Sequence, residues 1–291
     1  MSNVIFQIDG GIGKSIMGTA VCEVIKKKYP DSNLIVISAY PEVFIANPHV
    51  YKTLSHNNLQ YFYRDYIDGK DVKAFLHNPY LETNYILRKE HLLETWCSMF
   101  GLEYAEEQPR LYLSKREFDF YSRLFVSDKP IMVVQTNGGA TDQQIKYSWM
   151  RDLPSSTAQE VVNHFAQTHN VLHIRREDQL PLENTKPVHS DFRSLCVLIC
   201  MSDKRLFIDS FAQHVAKALN LDSVVCWIGN SPAQFGYENN INVCARPETR
   251  KPELKNAVFS KYNIAGEPME FPYNDEIEIF DTQEIIEALN K

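Results

Sequence analysis

The chain has no stretch near the roughly 20 consecutive apolar residues that span a bilayer, so stable membrane insertion is not expected. Strand-like Val4-Ile5-Phe6 has no basic segment and apolar core ahead of it, so no signal peptide is read and a cytoplasmic location is expected. Positive charge is not in excess. The formal net charge is −7, which argues against a non-specific nucleic-acid binder, since that needs a basic face. The one local patch, Lys26-Lys27-Lys28, falls where a helix should end, and cations there favour the dipole. The six cysteines form no CxxC pair and sit mostly in apolar runs, which reads as reduced, buried thiols. No Asp-x-Asp pair closes a strand, and no His/Asp/Glu cluster has metal-ligand spacing, so neither a metal nor a bound cofactor is expected. GxSxG is absent too, which leaves acyl transfer without a nucleophile elbow.

What is present is enough apolar residue, 44% of 291, for two domains with their own cores. Strand Val4 to Ile8, a loop through Gly10, Gly11 and Gly13, a helix from about Lys14 to Lys28, and strand Asn33 to Ser38 form a β-loop-α-β unit. Helical spacing then predicts helices over Leu81 to Phe100 and Lys115 to about Val126. Ser127-Asp128-Lys129-Pro130 reads as a linker, giving domains 1–128 and 129–291. The second half repeats the alternation. Strands Ile131 to Gln135, Val171 to Ile174, Arg205 to Ile208 and Ser223 to Ile228 are separated by helices, and Thr282 to Leu289 is a last helix. Alternating strands and helices imply α/β architecture: two Rossmann-like domains with parallel sheets, expected to face a cleft.

The richest stretch is 207–219. A buried strand stops at Asp209-Ser210 and turns into a helix whose apolar stripe is 211, 212, 215, 216 and 219. A strand end followed by a bare helix N-terminus suits phosphate. Asp209 and His214 at the same end suit a sugar attached to that phosphate. Gln135-Thr136-Asn137-Gly138-Gly139 closes the first strand of the second half, and Lys146 and Trp149 follow; such a lysine can pair with a diphosphate or stand solvated. Phe235-Gly236-Tyr237 could supply an aromatic wall for a base or form a surface turn. Gly13-Lys14-Ser15 suggests a P-loop, but GxxxxGK[ST] needs glycine where Ile8 stands, so nucleotide hydrolysis is not read.

Three segments resemble the ADP-heptose–lipopolysaccharide heptosyltransferases, glycosyltransferase family 9, which have the GT-B fold. They are Gly10-Gly11-Ile12-Gly13 with the helix ending Lys28-Tyr29-Pro30-Asp31, Lys146-Tyr147-Ser148-Trp149, and Asp209-Ser210-Phe211-Ala212-Gln213-His214-Val215-Ala216. The resemblance implies an inverting transferase using a nucleotide sugar and a saccharide or other hydroxyl acceptor. It implies donor contacts from Asn137, Gly138, Lys146, Asp209, Ser210, Gln213 and His214, and an acceptor-side loop at Gly10, Gly11 and Gly13. Lys146 would neutralise phosphate, Asp209 would hold sugar hydroxyls, Ser210 and the following amides would take the diphosphate, and His214 would support that loop. Two positions depart from the family. Lys14 stands where an aspartate base is usual, and Phe211 replaces a glycine. A lysine is a poor base unless its pKa is pulled down, so Asp9 is the expected general base, with Lys14 beside it in the catalytic loop. A binder without catalysis, or a transferase acting on modified nucleic-acid bases, are the alternatives.

Overall fold

Val4, Ile5, Phe6 and Ile8 are all buried in β1 (Asn3–Ile8). A strand apolar on both faces needs cover on both, which a parallel sheet with helical crossovers supplies. The computed structural model describes residues 2–138, 151–249, 273 and 278–291. In it β1 lies in a sheet with β2 (Asn33–Ser38), β3 (Lys52–Ser55) and β4 (Val72–Phe75). The order is β3-β2-β1-β4 and every pairing is parallel. The crossover from β1 to β2 is α1 (Ile12–Lys28), which buries Ile16, Met17, Ala20, Val21, Val24 and Ile25. Its last turn carries Lys26, Lys27 and Lys28, as the dipole favours.

The helix expected over 81–100 is two helices, α2 (Thr83–Ile86) and α3 (Leu92–Met99). Arg88 between them has φ +53°, a left-handed conformation through which a helix does not continue. The His91 ring then caps α3, accepting from the Leu93 N–H at 3.2 Å. The next expected helix is α4 (Lys115–Tyr121), which tightens into a 3₁₀ turn at Ser122–Phe125.

The second sheet contains β5 (Ile131–Val134), β6 (Asn170–Ile174), β7 (Lys186–Val188), β8 (Lys204–Ile208), β9 (Ser223–Trp227) and β10 (Asn240–Cys244). It is wholly parallel, in the order β10-β9-β8-β5-β6-β7. Its described helices are α5 (Ser155–Phe165), α6 (Phe192–Met201), α7 (Phe211–Ala218), α8 (Pro232–Phe235) and α9 (Thr282–Leu289). Met132, Val134, Leu206, Ile208, Val224 and Cys226 pack with Val161, Phe165, Phe280 and Ile285 into one core. The chain divides into two compact units, 1–117 with 217–220 and 118–216 with 221–291.

Counted from its own first strand, the second sheet is wound 3-2-1-4-5-6, the order of dinucleotide-binding sheets, and the first repeats its opening 3-2-1-4. Each sheet reverses direction beside that first strand, between β1 and β4 and between β5 and β8. Ligands of open α/β sheets bind at the carboxyl ends of strands at such a reversal.

Candidate functional site

The reversal in the second unit places the ends of β5 and β8 side by side. Gln135 directly follows β5 and is buried. Its Nε2 donates to the Ser210 hydroxyl at 3.2 Å, and its Oε1 accepts from the Ala212 N–H at 3.3 Å. One glutamine therefore ties the two strand ends together and occupies one first-turn amide of α7. The sequence placed Gln135 at the head of the strand-closing segment but gave it no role; the signal was a polar residue immediately after four apolar strand positions.

Asn137 and Gly138 are held from behind. Asp152 accepts from the Gly138 N–H at 2.7 Å and from Asn137 Nδ2 at 3.3 Å, while Gln179 Nε2 donates to the Gly138 carbonyl at 3.1 Å. A Cβ on Gly138 would sit 2.5 Å from Arg151 Nε, the far end of a flexible side chain that would have to move aside. Thr136 shares its hydroxyl with Asn137 Oδ1 at 3.0 Å and His173 Nε2 at 2.9 Å. Burial, with Arg175 nearby, pushes the His173 imidazole down to about 4 and keeps it neutral. Gly139, Lys146 and Trp149 lie outside the described residues.

Asp209, Ser210, Gln213 and His214 come together at the start of α7, and all four are buried. Asp209 accepts from Gln213 Nε2 at 3.3 Å on one oxygen and from Asn230 Nδ2 on the other. Gln213 Oε1 accepts in turn from Asn240 Nδ2 at 3.1 Å, so amides on three segments set the carboxylate's orientation. The His214 ring bonds the Tyr237 hydroxyl at 2.7 Å, edge-on to its ring. Phe235 and Tyr237 are 5% and 7% exposed. They are packed side chains and not the surface turn that the sequence allowed. Gly236 permits this, because a Cβ there would meet the Pro232 carbonyl at 2.6 Å.

In the first unit the reversal lies between Asp9-Gly10-Gly11, after β1, and Asn78, after β4. Gly10 has φ +104°, a conformation that L side chains avoid, while a Cβ on Gly11 would meet nothing within 4 Å. Gly13 lies in the first turn of α1, whose N-cap residue is Gly11, with no side-chain capping bond. Asp9 is half exposed; its Oδ1 accepts from Gln7 Nε2 at 3.0 Å and lies 3.6 Å from His56 Nε2.

Lys14 is buried, with 5% of its surface exposed. Its Nζ donates to Asn78 Oδ1 at 2.8 Å and stands 4.9 Å from the Tyr80 ring centroid and 5.2 Å from that of Trp96. Burial pulls the amine down to about 8 against the opposing pull of Asp9. Among the described residues it forms no ion pair, and no three His, Cys, Asp or Glu side chains gather to hold a metal ion. No helix of the described residues is long and apolar enough to cross a membrane.

No protein-family model and no curated protein matches the sequence. Solved structures do. A glycosyltransferase family 9 structure from Veillonella parvula is 15% identical, with 84% of this chain and 85% of that one covered at a TM-score of 0.62. Escherichia coli ADP-heptose lipopolysaccharide heptosyltransferase II is 13% identical, with 84% and 90% covered at 0.61. Escherichia coli heptosyltransferase WaaC with ADP is 8% identical, with 84% and 93% covered at 0.54. The two parallel sheets, their windings and these matches give the chain the α/β fold of its GT-B glycosyltransferase neighbours.

Proposed function

We propose that the protein is a glycosyltransferase that moves a sugar from a nucleoside-diphosphate donor to a hydroxyl acceptor, with inversion at the anomeric carbon and without a divalent metal. The observation that carries this reading is the Asp209-Ser210 strand end. It sets an oriented carboxylate against the first turn of α7 at a sheet reversal, in a fold shared with a heptosyltransferase solved with ADP. Asp209 would accept from sugar hydroxyls, and the first-turn amides would face the diphosphate. Asn137 and Gly138 would line the donor from the β5 side. Gln213 and His214 would fix the loop, and Lys146 would add a positive charge. The Gly10–Gly13 loop would serve the acceptor. Rate would come from placing the acceptor oxygen in line with the bond to the leaving diphosphate, and from stabilising the charge that develops there.

A thermal-shift panel of nucleoside diphosphates and their sugars, ADP first, tests the donor. Saturation at about 100 times Kd adds roughly 2.7 kcal/mol of stability. Release of free nucleoside diphosphate from the sugar-bearing ligand, at a rate EDTA leaves unchanged, is the expected result. Stabilisation without release in the presence of acceptor pools would make the protein a binder. Stabilisation by none of them would remove the reading.

A further inference from the structure

The first unit holds a feature that donor binding does not use: a buried lysine with no carboxylate partner among the described residues, at a strand-end reversal. Resting on the transferase reading above, we propose that the Lys14 amine is the general base that accepts the acceptor hydroxyl's proton, with Asn78, Tyr80 and Trp96 as its positioning residues. A structural lysine of this burial would normally be paired with a carboxylate, because an unpaired buried charge is costly. Here a neutral amide oxygen takes one N–H at 2.8 Å, and two ring faces flank the rest. The amide oxygen accepts from the nitrogen in either protonation state, and the ring faces favour the cation less firmly than a carboxylate would. A carboxylate would have locked it as the cation.

Among the described residues, the titratable groups around it are few. Asp9 lies on its own loop and His56, after β3, lies against Asp9. Tyr80 comes from the turn after β4, with Tyr85 of α2 stacked on it at 4.9 Å, and α3 contributes Trp96, which does not titrate. Burial outweighs Asp9 and brings the amine to about 8, close to where a base is effective near neutrality. Asp9 is the weaker candidate. Its side chain is 51% exposed and already accepts from Gln7. In the step, the acceptor O–H proton passes to the Nζ lone pair and the oxygen bonds the anomeric carbon. The carbon–oxygen bond to the diphosphate breaks, its electron pair leaving on the nucleoside diphosphate. The ammonium later returns its proton to water.

The test uses the full chain and the nucleotide sugar found by the panel, reading nucleoside-diphosphate release from pH 5 to 10. Wild type should show log(kcat/KM) rising with unit slope to a plateau near pH 8. Lys14→Met and Lys14→Arg should each lose at least 100-fold in kcat, with the nucleoside-diphosphate thermal shift retained as proof of folding. Asp9→Asn, which removes the charge that holds the amine up, should move the rising limb to lower pH. Acetic anhydride labelling of Lys14 against pH, read by mass spectrometry, should titrate with the same midpoint. A rate already flat from pH 6, or a Lys14→Arg variant of near-normal rate, would overturn the lysine while leaving the transferase reading standing. No release from any nucleotide sugar at any pH would overturn both.

Discussion

Two buried bases set how single residues bear on stability. The folded pKa of Lys14 lies near 8, below the ordinary 10.5, so between those values the unfolded chain binds more protons and stability should rise with pH. Below pH 8 the full cost remains. Lys14→Met should therefore be the more stable protein at pH 7, on the order of 2 kcal/mol after the lost Asn78 bond is offset, with the gap closing toward pH 10.5. Urea melts of both proteins across that range decide it. His173 behaves alike at lower pH. Its folded value near 4 against an ordinary 6.5 means that stability present above pH 6.5 is lost as pH falls toward 4. The loss is on the order of 3 kcal/mol, and His173→Gln should flatten that limb. Gln135→Glu would place an anion where the proposed diphosphate would bind; nucleoside-diphosphate affinity should fall about tenfold or more, read by the same thermal shift. Of these three residues only Lys14 was marked as functional in the sequence, because a motif drew attention to it. Its burial was not legible there, since the rings that bury it stand 66 and 82 positions further on, at Tyr80 and Trp96.

Among the elements, those with a dense apolar run or stripe of their own were legible and those without were not. β1, α1, β2 and α9 are where their apolar residues put them, since each carries its own apolar run or stripe. β3, β4, β7 and β10 passed unread because Lys-Thr-Leu-Ser, Val-Lys-Ala-Phe, Lys-Pro-Val and Asn-Ile-Asn-Val-Cys owe their strand form to a neighbour already in the sheet. The break at Arg88 was likewise invisible, because neither glycine nor proline marks it. Two glycines, one in each unit, are testable at this scale. Gly236→Ala should lower the thermal midpoint and loosen the Tyr237–His214 bond, at about 1–3 kcal/mol, because the obstacle is backbone. Gly10→Ala should cost about 1–2 kcal/mol through its φ alone, with no clash to relieve, and should slow turnover more than it weakens donor binding.

For the molecule as a whole, alternation along the chain was enough to give two parallel α/β sheets, and strand order came only with the structure. The net charge of −7 bears on partners. Affinity for unmodified duplex DNA should be immeasurable at physiological salt in a gel-shift titration, and a steep salt-dependent complex would redirect the acceptor toward nucleic acid. The bridge made by Gln135 has a last implication. Because a side chain of the protein already satisfies the Ala212 amide, a ligand arriving there must evict it, and the enthalpy gained is only the difference between two sets of bonds. Loading the second lobe then becomes an exchange, in which the freed glutamine has to find a new partner before the strand ends can settle again.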